Sequence, residues 1–157
     1  MNTEDMKTMA DTLAKWRSDL HEPHRRGARA ELRRSKNITD VIMTPTYQRL
    51  CSRLGEELST FSKQDKERLA FIVGLLSHVR EHSKASLASA MSNGSPSCVS
   101  ELRFRRLLQH ECDDRFYGAM IRVIRMLKYQ VNVYDLIASM YYWGESKKKE
   151  WAYAYFS

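Results

Sequence analysis

Residues 62–76 read Ser62-Lys-Gln-Asp-Lys-Glu-Arg-Leu-Ala-Phe-Ile-Val-Gly-Leu-Leu76. Ser62 and Asp65 have the spacing of a capping arrangement, in which both side chains satisfy free backbone amides at a helix start. The apolar residues that follow predict a helix that runs to about Arg80 and buries Leu69, Ile72, Val73 and Leu76. This longest apolar run of the chain is far shorter than the ~20 residues that cross a bilayer, so we expect no membrane contact.

Apolar residues recur at helical spacing along almost the whole chain. Near the start they fall three and four residues apart, as in an amphipathic helix, at Met6, Met9, Leu13, Trp16 and Leu20. The same spacing predicts further helices around residues 25–35, 45–58, 104–108, 113–129, 132–144 and 146–156. No stretch of alternating Val and Ile predicts a strand. We therefore predict an all-α fold, a compact helical bundle with two small helical subdomains.

The clearest break in the chain is the segment Ser92-Asn-Gly-Ser-Pro-Ser97. Both Gly94 and Pro96 disfavour helix, so this segment is typical of a loop. We predict an N-terminal helical subdomain with an Arg-rich helix at residues 1–91, a Gly/Ser/Pro loop at residues 92–97, and a C-terminal helical subdomain at residues 98–157.

Positive charge is concentrated in one short segment. The 157 residues hold 26 Lys and Arg against 19 Asp and Glu, which gives a net charge of +7. Residues 25–36 carry six basic residues and one acid, Glu31, and therefore a net charge of +5. A basic chain of this size is a candidate for binding a polyanion, although net charge says nothing about fold.

The basic segment predicts a helix with arginines on its outer surface. Arg26, Arg29 and Arg33 share one face, Leu32 lies on the inward stripe, and Arg34 points nearly opposite Leu32. An array of guanidinium groups suits phosphate, because each planar fork binds two oxygens. We expect these arginines to be exposed, so that replacing them leaves the fold intact. The alternative is a solvated charged face with no ligand.

A second basic centre lies in the C-terminal half. On the helix over residues 113–129, the cations fall opposite or beside the apolar face, at Arg122, Arg125 and Lys128. In the preceding helix, Arg103 and Arg106 lie away from the apolar stripe. Each is an ordinary surface charge if taken singly. Together with the first cluster they form a candidate groove for a strand of nucleic acid.

No motif in the chain points to catalysis or to a metal. His78 and His82 are four residues apart but lack the glutamate of an HExxH motif, and Walker-type loops, GxSxG and paired carboxylates do not occur. We therefore expect a protein without enzymatic activity, cofactor or metal. The N-terminal residues include no signal-peptide core, so we expect a cytoplasmic protein whose three cysteines stay reduced.

Three segments resemble a known family in their order and spacing. They are Gly27-Ala-Arg-Ala-Glu-Leu-Arg-Arg34, Val99-Ser-Glu-Leu-Arg-Phe-Arg-Arg-Leu-Leu108, and the stretch from Leu136 to Trp143-Gly144. The chain is similar in these segments, and in its length, to the CasB family, the small subunit of Cascade, the type I-E CRISPR surveillance complex.

The resemblance implies a non-catalytic subunit, present as a pair, that contacts the backbone and large subunits and stabilises guide RNA and unwound target DNA. It carries functional roles to Arg33, Arg34, Arg103 and Arg122, and by position alone to Lys63 and Lys66. Two other functions remain open at this stage. One is a small helical DNA-binding regulator, and the other is a protein-interaction module that uses its basic faces.

Overall fold

The apolar run Leu69–Leu76 lies in the second half of helix α5 (Lys63–Leu76), and all of its residues are buried. The computed structural model describes residues 2–157 of the chain. Helix α5 begins with the predicted capping box. The Ser62 hydroxyl accepts a hydrogen bond from the Asp65 amide at 3.1 Å, and the Asp65 carboxylate accepts one from the Ser62 amide at 3.0 Å.

Helix α5 ends at Leu76, whereas the sequence predicted that it continues to about Arg80. The Ser77 hydroxyl donates to the carbonyl of Gly74 at 2.6 Å, within the last turn. The amide of Arg80 then donates to the carbonyl of Tyr129 at 2.8 Å. Between these two bonds, the amides of His78 and Val79 donate to the carbonyls three residues back, of Leu75 and Leu76, so regular α-helical bonding stops before the tertiary bond of Arg80.

The described residues form ten α-helices, two short 3₁₀ turns and two very short strands. Besides α5, the helices are α1 (Thr3–Leu20), α2 (Arg26–Arg33), α3 (Ile38–Ile42), α4 (Pro45–Leu54), α6 (Leu87–Ser92), α7 (Glu101–Leu107), α8 (Asp114–Met126), α9 (Val133–Tyr141) and α10 (Glu145–Phe156). The predicted all-α class is confirmed. Within residues 2–157 no helix has the length and apolar character that a membrane span requires.

Helix α5 is the element around which the others pack. It contacts α3, α8 and α9, while α1 packs on α9 and α10 packs on α6. The ring of Phe71 lies 5.6 Å from that of Phe116 and 5.4 Å from that of Tyr117, centroid to centroid, which joins α5 to α8 through aromatic contacts. The buried apolar residues of the two halves of the chain form one hydrophobic cluster.

The strands β1 (Glu81–His82) and β2 (Gln130–Val131) pair in parallel, with Glu81 opposite Gln130 and His82 opposite Val131. The expectation that no segment forms a strand is therefore wrong at this one place. Two residues are too few to show an alternating pattern, so the sequence carries no signal for them. The pairing joins the segment after α5 to the segment after α8.

Other differences from the predicted elements are local. The helix expected over residues 45–58 is divided at Gly55, which has a φ of +49° and ends α4 before a 3₁₀ turn over Gly55–Leu58. Helices α3 and α6 were not predicted, because five and six residues hold too few apolar positions to show a period. Gly144 begins α10 and does not end α9.

The segment over residues 92–97 joins α6 to the stretch before α7, and residues 93–95 are exposed. The division of the chain into two subdomains at this segment stays a prediction. The shared hydrophobic cluster means that the two halves fold around a common core.

Close packing in the middle of α5 gives the first prediction. A Cβ atom added to Gly74 would overlap the phenol oxygen of Tyr117, which is buried and has no hydrogen-bond partner. We expect Gly74→Ala to lower the free energy of unfolding by about 1–3 kcal/mol through overpacking, as measured by urea denaturation.

The matched control is Gly118→Ala, a helical glycine of α8 whose added Cβ would meet its nearest atom, of Arg122, at 3.7 Å. This ordinary contact leaves only the gain in helix propensity, so the control should stabilise the protein by about 0.5–1 kcal/mol. Equal effects of the two substitutions would contradict the packing argument.

Candidate nucleic-acid interface

Helix α2 carries the densest positive charge and is anchored by one apolar side chain. Leu32 is fully buried, and Ala28 beside it is half-buried, as predicted for the inward stripe. Arg26 and Arg34 are exposed on the other side of the helix. Neither pairs with a carboxylate in residues 2–157, so both guanidinium groups are available to phosphate.

Arg29 and Arg33 are half-buried, and each binds a backbone carbonyl at the end of another helix. Nη1 of Arg29 donates to the carbonyl of Leu20 in α1 at 3.1 Å. Nε of Arg33 donates to the carbonyl of Ser77, the C-cap residue of α5, at 2.8 Å. Carbonyls at helix C-termini lack intrahelical donors and carry partial negative charge, so guanidinium groups suit them.

The expectation that all arginines of α2 are fully exposed is therefore wrong for Arg29 and Arg33. Their faces of the helix point at the ends of α1 and α5, which sequence spacing does not place. The Arg33–Ser77 bond uses only Nε, so the two terminal nitrogens of Arg33 remain available to a ligand. The bond also fixes the plane of the guanidinium group.

Beyond the end of α5, arginines of α2 and α8 act on two histidines, one at the end of α1 and one just after α5. His78 follows α5, and its pKa is lowered to about 4, chiefly by burial and also by the positive charges of Arg33 and Arg125. Burial likewise lowers the pKa of His21 at the end of α1, and Arg29 and Arg33 add to that shift. Arg33 contributes to both shifts, so the ends of α1 and α5 both lie within reach of its charge.

A second part of the interface is a groove between α7 and α8. Its cavity of about 380 Å³ is lined by Arg103, Arg106 and Arg122, all exposed, over a floor that includes Leu107 and Val123. The structure thus brings together three arginines that the sequence identified one by one. A groove with an apolar floor and cationic walls fits a single strand of nucleic acid.

Arg125 connects the groove to the region beyond α5. It lies three residues after Arg122 and so on the same face of α8, while its charge acts on His78. Lys128, just past the end of α8, is also exposed. We call the predicted basic residues of α2, α7 and α8 the arginine track, and their continuity as one binding path stays a prediction: Arg26, Arg29, Arg33, Arg34, Arg103, Arg106, Arg122, Arg125 and Lys128.

Lys63 and Lys66 lie away from the arginine track. Both are exposed in the first turns of α5 and border a different cavity of about 610 Å³, next to Tyr47 and Leu58. At 1.5 Å per residue, Lys63 is about 20 Å along the helix from Ser77. The structure does not bring these two lysines together with the predicted arginines.

The arginines of the described chain are not neutralised from within. Over residues 2–157 the ion pairs are Lys147–Glu150 at 2.7 Å and Lys148–Glu111 at 3.9 Å, and neither involves an arginine. The Lys147–Lys149 run is thus partly paired, unlike the track. A set of guanidinium groups without carboxylate partners leaves a strong positive field at the surface.

Arg68 is a structural arginine that the sequence analysis missed. Its Nη1 donates to the carbonyls of Met140, Tyr141 and Trp143, at 3.3, 2.9 and 3.0 Å, and so closes the end of α9. Trp143 in turn donates from its indole nitrogen to the carbonyl of His110 at 3.0 Å. The position of Arg68 directly before the buried run of α5 is the one sequence signal for such a role.

Of the seven aromatic residues at positions 141–156, four belong to the core or pack against it, namely Tyr141, Trp143, Trp151 and Tyr155. Trp143, Trp151 and Tyr155 are buried, whereas Tyr153 and Phe156 are exposed. Across residues 2–157, no group of three or more His, Cys, Asp or Glu side chains lies close enough to hold a metal ion.

The fold and the arginine track define a small helical protein with a cationic surface. A structural match joins it to a chain in the crystal structure of E. coli Cascade bound to a PAM-containing dsDNA target, with a TM-score of 0.66 and 17% identity, over 83% of this chain and 85% of that one. Among curated proteins, none matches the sequence.

The family is shown by the sequence itself. The family model of the CRISPR-associated protein Cse2 matches residues 28–156, and the chain belongs to this family. The resemblance to the CasB family that the three sequence segments indicated is confirmed.

The bond between Arg33 and Ser77 gives a prediction about stability. Arg33→Ala leaves the Ser77 carbonyl without its charged donor, so we expect the free energy of unfolding to fall by about 1–2 kcal/mol in urea denaturation. Arg34→Ala, at an exposed position without such a bond, should change it by less than about 0.5 kcal/mol. A decrease of equal size in both variants would contradict the capping role of Arg33.

The buried state of His78 predicts a pH dependence. Between pH 6.5 and about 4 the unfolded chain takes up a proton at this position and the folded chain does not. Stability is therefore lost as pH falls through this window, by on the order of 3 kcal/mol from His78.

The check is the free energy of unfolding of the wild type and of His78→Gln, each measured from pH 7 to pH 4. Carboxylates titrate in both proteins, so the difference between the two curves isolates His78. The wild type should lose more stability than the variant on acidification. Parallel curves would show that His78 is not held neutral by the fold.

Proposed function

We propose that this chain is a non-catalytic small subunit of a type I-E CRISPR RNA-guided surveillance complex, Cascade, in antiviral defence. In that role it binds the backbone of nucleic acid without sequence preference and stabilises guide RNA and unwound target DNA. The observation that carries the proposal is the arginine track, whose guanidinium groups have no carboxylate partner in residues 2–157. Family membership supports the assembly to which we assign it.

Phosphate binding would supply affinity in this role, while base pairing with the guide supplies specificity. The groove at Arg103, Arg106 and Arg122 is open to solvent and has an apolar floor, which suits the unpaired bases of one strand better than a duplex. Arg125 would continue the path from this groove to Arg33 and Arg34. Lys63 and Lys66, at the other end of α5, would serve a separate contact.

The proposed partners are the backbone and large subunits of the complex, a second copy of this chain, guide RNA and target DNA, and the proposed location is the cytoplasm. Purification from the native host followed by nucleic-acid extraction tests the assembly. Recovery of a discrete guide RNA with larger protein subunits is the expected result. A chain that purifies alone, without RNA, would refute the assignment.

Two other functions make different predictions in binding assays. A DNA-binding regulator would bind one duplex tightly, and a protein-interaction module would bind no nucleic acid. The non-catalytic assignment predicts no cleavage of nucleic acid with any divalent metal. Nuclease activity that stays with the pure protein and disappears on substitution of one acidic residue would contradict it.

The groove gives a prediction about salt dependence. Arg103→Ala combined with Arg122→Ala should weaken single-stranded DNA binding equally for all sequences. The slope of log K against log salt should become shallower by about 0.7–0.9 for each phosphate that the variant no longer binds. Fluorescence anisotropy over a salt series measures both quantities.

The matched control is Arg105→Ala combined with Arg53→Ala, which removes two exposed arginines outside the groove lining. This control keeps the net charge of the test variant, so it separates a defined path from a general charge effect. The control should keep a slope close to that of the wild type. If the two variants behave alike, the groove does not carry the strand.

A further inference from the structure

The end of helix α8 has an unusual backbone that the proposed function does not use. Lys128 and Tyr129 have φ values of +58° and +64°, so two consecutive residues other than glycine are left-handed. This conformation costs roughly 1–2 kcal/mol per residue for residues with a Cβ atom. It persists only where surrounding contacts hold it, and such strain is concentrated at functional sites.

The strained turn is held by backbone hydrogen bonds on both sides of Tyr129. The Tyr129 amide donates to the carbonyl of Ile124 at 2.8 Å, which closes α8. The Tyr129 carbonyl accepts from the amides of Arg80 at 2.8 Å and Glu81 at 3.3 Å. Strands β1 and β2 continue this pairing, so Tyr129 and Arg80 are fixed relative to each other.

The turn places the ring of Tyr129 directly against a guanidinium group. The guanidinium carbon of Arg80 lies 4.1 Å from the centroid of that ring, a cation–π contact. The backbone carbonyl of Arg80 also accepts from Arg17 Nη1 at 3.2 Å, which holds the same residue from α1. Arg80 itself is exposed and has no carboxylate partner in the described chain.

The Arg80–Tyr129 pair lies on the arginine track. The pKa of the half-buried Arg33 is lowered chiefly by burial and also by the positive charges of Arg29 and Arg80, so Arg80 lies near Arg33. Arg125 lies one turn of α8 before the strained residues. The ring of Tyr129 thus follows Arg125 at the end of α8, and the planar cation that this ring backs lies near Arg33.

We propose that Arg80 and Tyr129 form a platform on which one unpaired nucleobase stacks, while the flanking phosphates lie on Arg33 and Arg125. This inference rests on the proposed function and adds that one base of the bound single strand faces the protein. Unpaired bases stack on aromatic rings and on guanidinium planes, and a base in a duplex exposes neither face. In this arrangement the left-handed backbone at Tyr129 orients the tyrosine ring, and with it the Arg80 guanidinium group, toward the bound strand.

The test compares two ligands that share their phosphates and differ in their bases. One is an oligonucleotide of thymidines, and the other is an abasic oligonucleotide of the same length. The wild-type chain should bind the thymidine strand about 5- to 100-fold more tightly, as expected for one stacked base. A uridine oligonucleotide in a third series shows whether the platform prefers DNA or RNA.

Two variants and two controls identify the residues responsible. Tyr129→Leu removes the ring, and Arg80→Lys keeps the charge but removes the planar group, so both should lose most of the preference for bases. Tyr129→Phe keeps a ring and should keep the preference. Tyr153→Leu, at a tyrosine exposed on α10, should also keep it. Circular dichroism confirms that each variant is folded.

The result that overturns the proposal is a folded Arg80→Lys or Tyr129→Leu that prefers thymidine strands as strongly as the wild type. If Tyr129→Leu does not fold, the Arg80→Lys variant alone tests the proposal, because the side chain of Arg80 is exposed. A wild type that binds both strands equally, with a steep salt dependence, overturns the platform and leaves the proposed function standing. A wild type that binds neither strand at any salt concentration overturns the proposed function itself.

Discussion

The second half of helix α5 is buried on every side, and the rest of the structure is arranged to meet this constraint. A surface helix needs one apolar partner, whereas this run needs neighbours all around it, and α3, α8 and α9 supply them. The absence of a side chain at Gly74 lets Tyr117 approach the helix axis, and Phe71 fills the space beside it. Because several helices must contact α5, the chain returns to it repeatedly, and the connections between the helices are therefore short and irregular.

Because α5 is buried, the backbone carbonyls at its end need hydrogen-bond donors from other parts of the protein. The carbonyl of Ser77 at the C-cap, and those of Val79 and Arg80 just beyond it, have no donor from within α5. Arg33 of α2 and Arg17 of α1 donate to these carbonyls, so both guanidinium groups lie next to the end of α5. The Arg33 bond to Ser77 uses only Nε, so the same side chain that stabilises the end of α5 keeps two terminal nitrogens for the proposed contact with phosphate.

The sequence predicted which basic residues belong to the candidate site, but it did not predict how they are arranged in space. The excess of positive charge around α2 and the exposed faces of α7 and α8 were visible from spacing, because periodicity alone separates the apolar side of a helix from its outer side. The half-burial of Arg33, the remote position of Lys63 and the Arg80–Tyr129 contact were not visible. They depend on which helix ends meet, and that is a property of packing rather than of local pattern.

The sequence by itself determined the helical class, the capping box at Ser62, the buried run of α5 and the family, because these depend on residues close together in the chain. Tertiary structure alone decided the path of the chain after α5, where the amide of Arg80 donates to the carbonyl of Tyr129 beyond α8. It also decided the parallel pairing of β1 with β2 and the left-handed turn at Lys128 and Tyr129. Such contacts join segments about fifty residues apart, and their free energy comes from the shared core, which no local window of sequence contains.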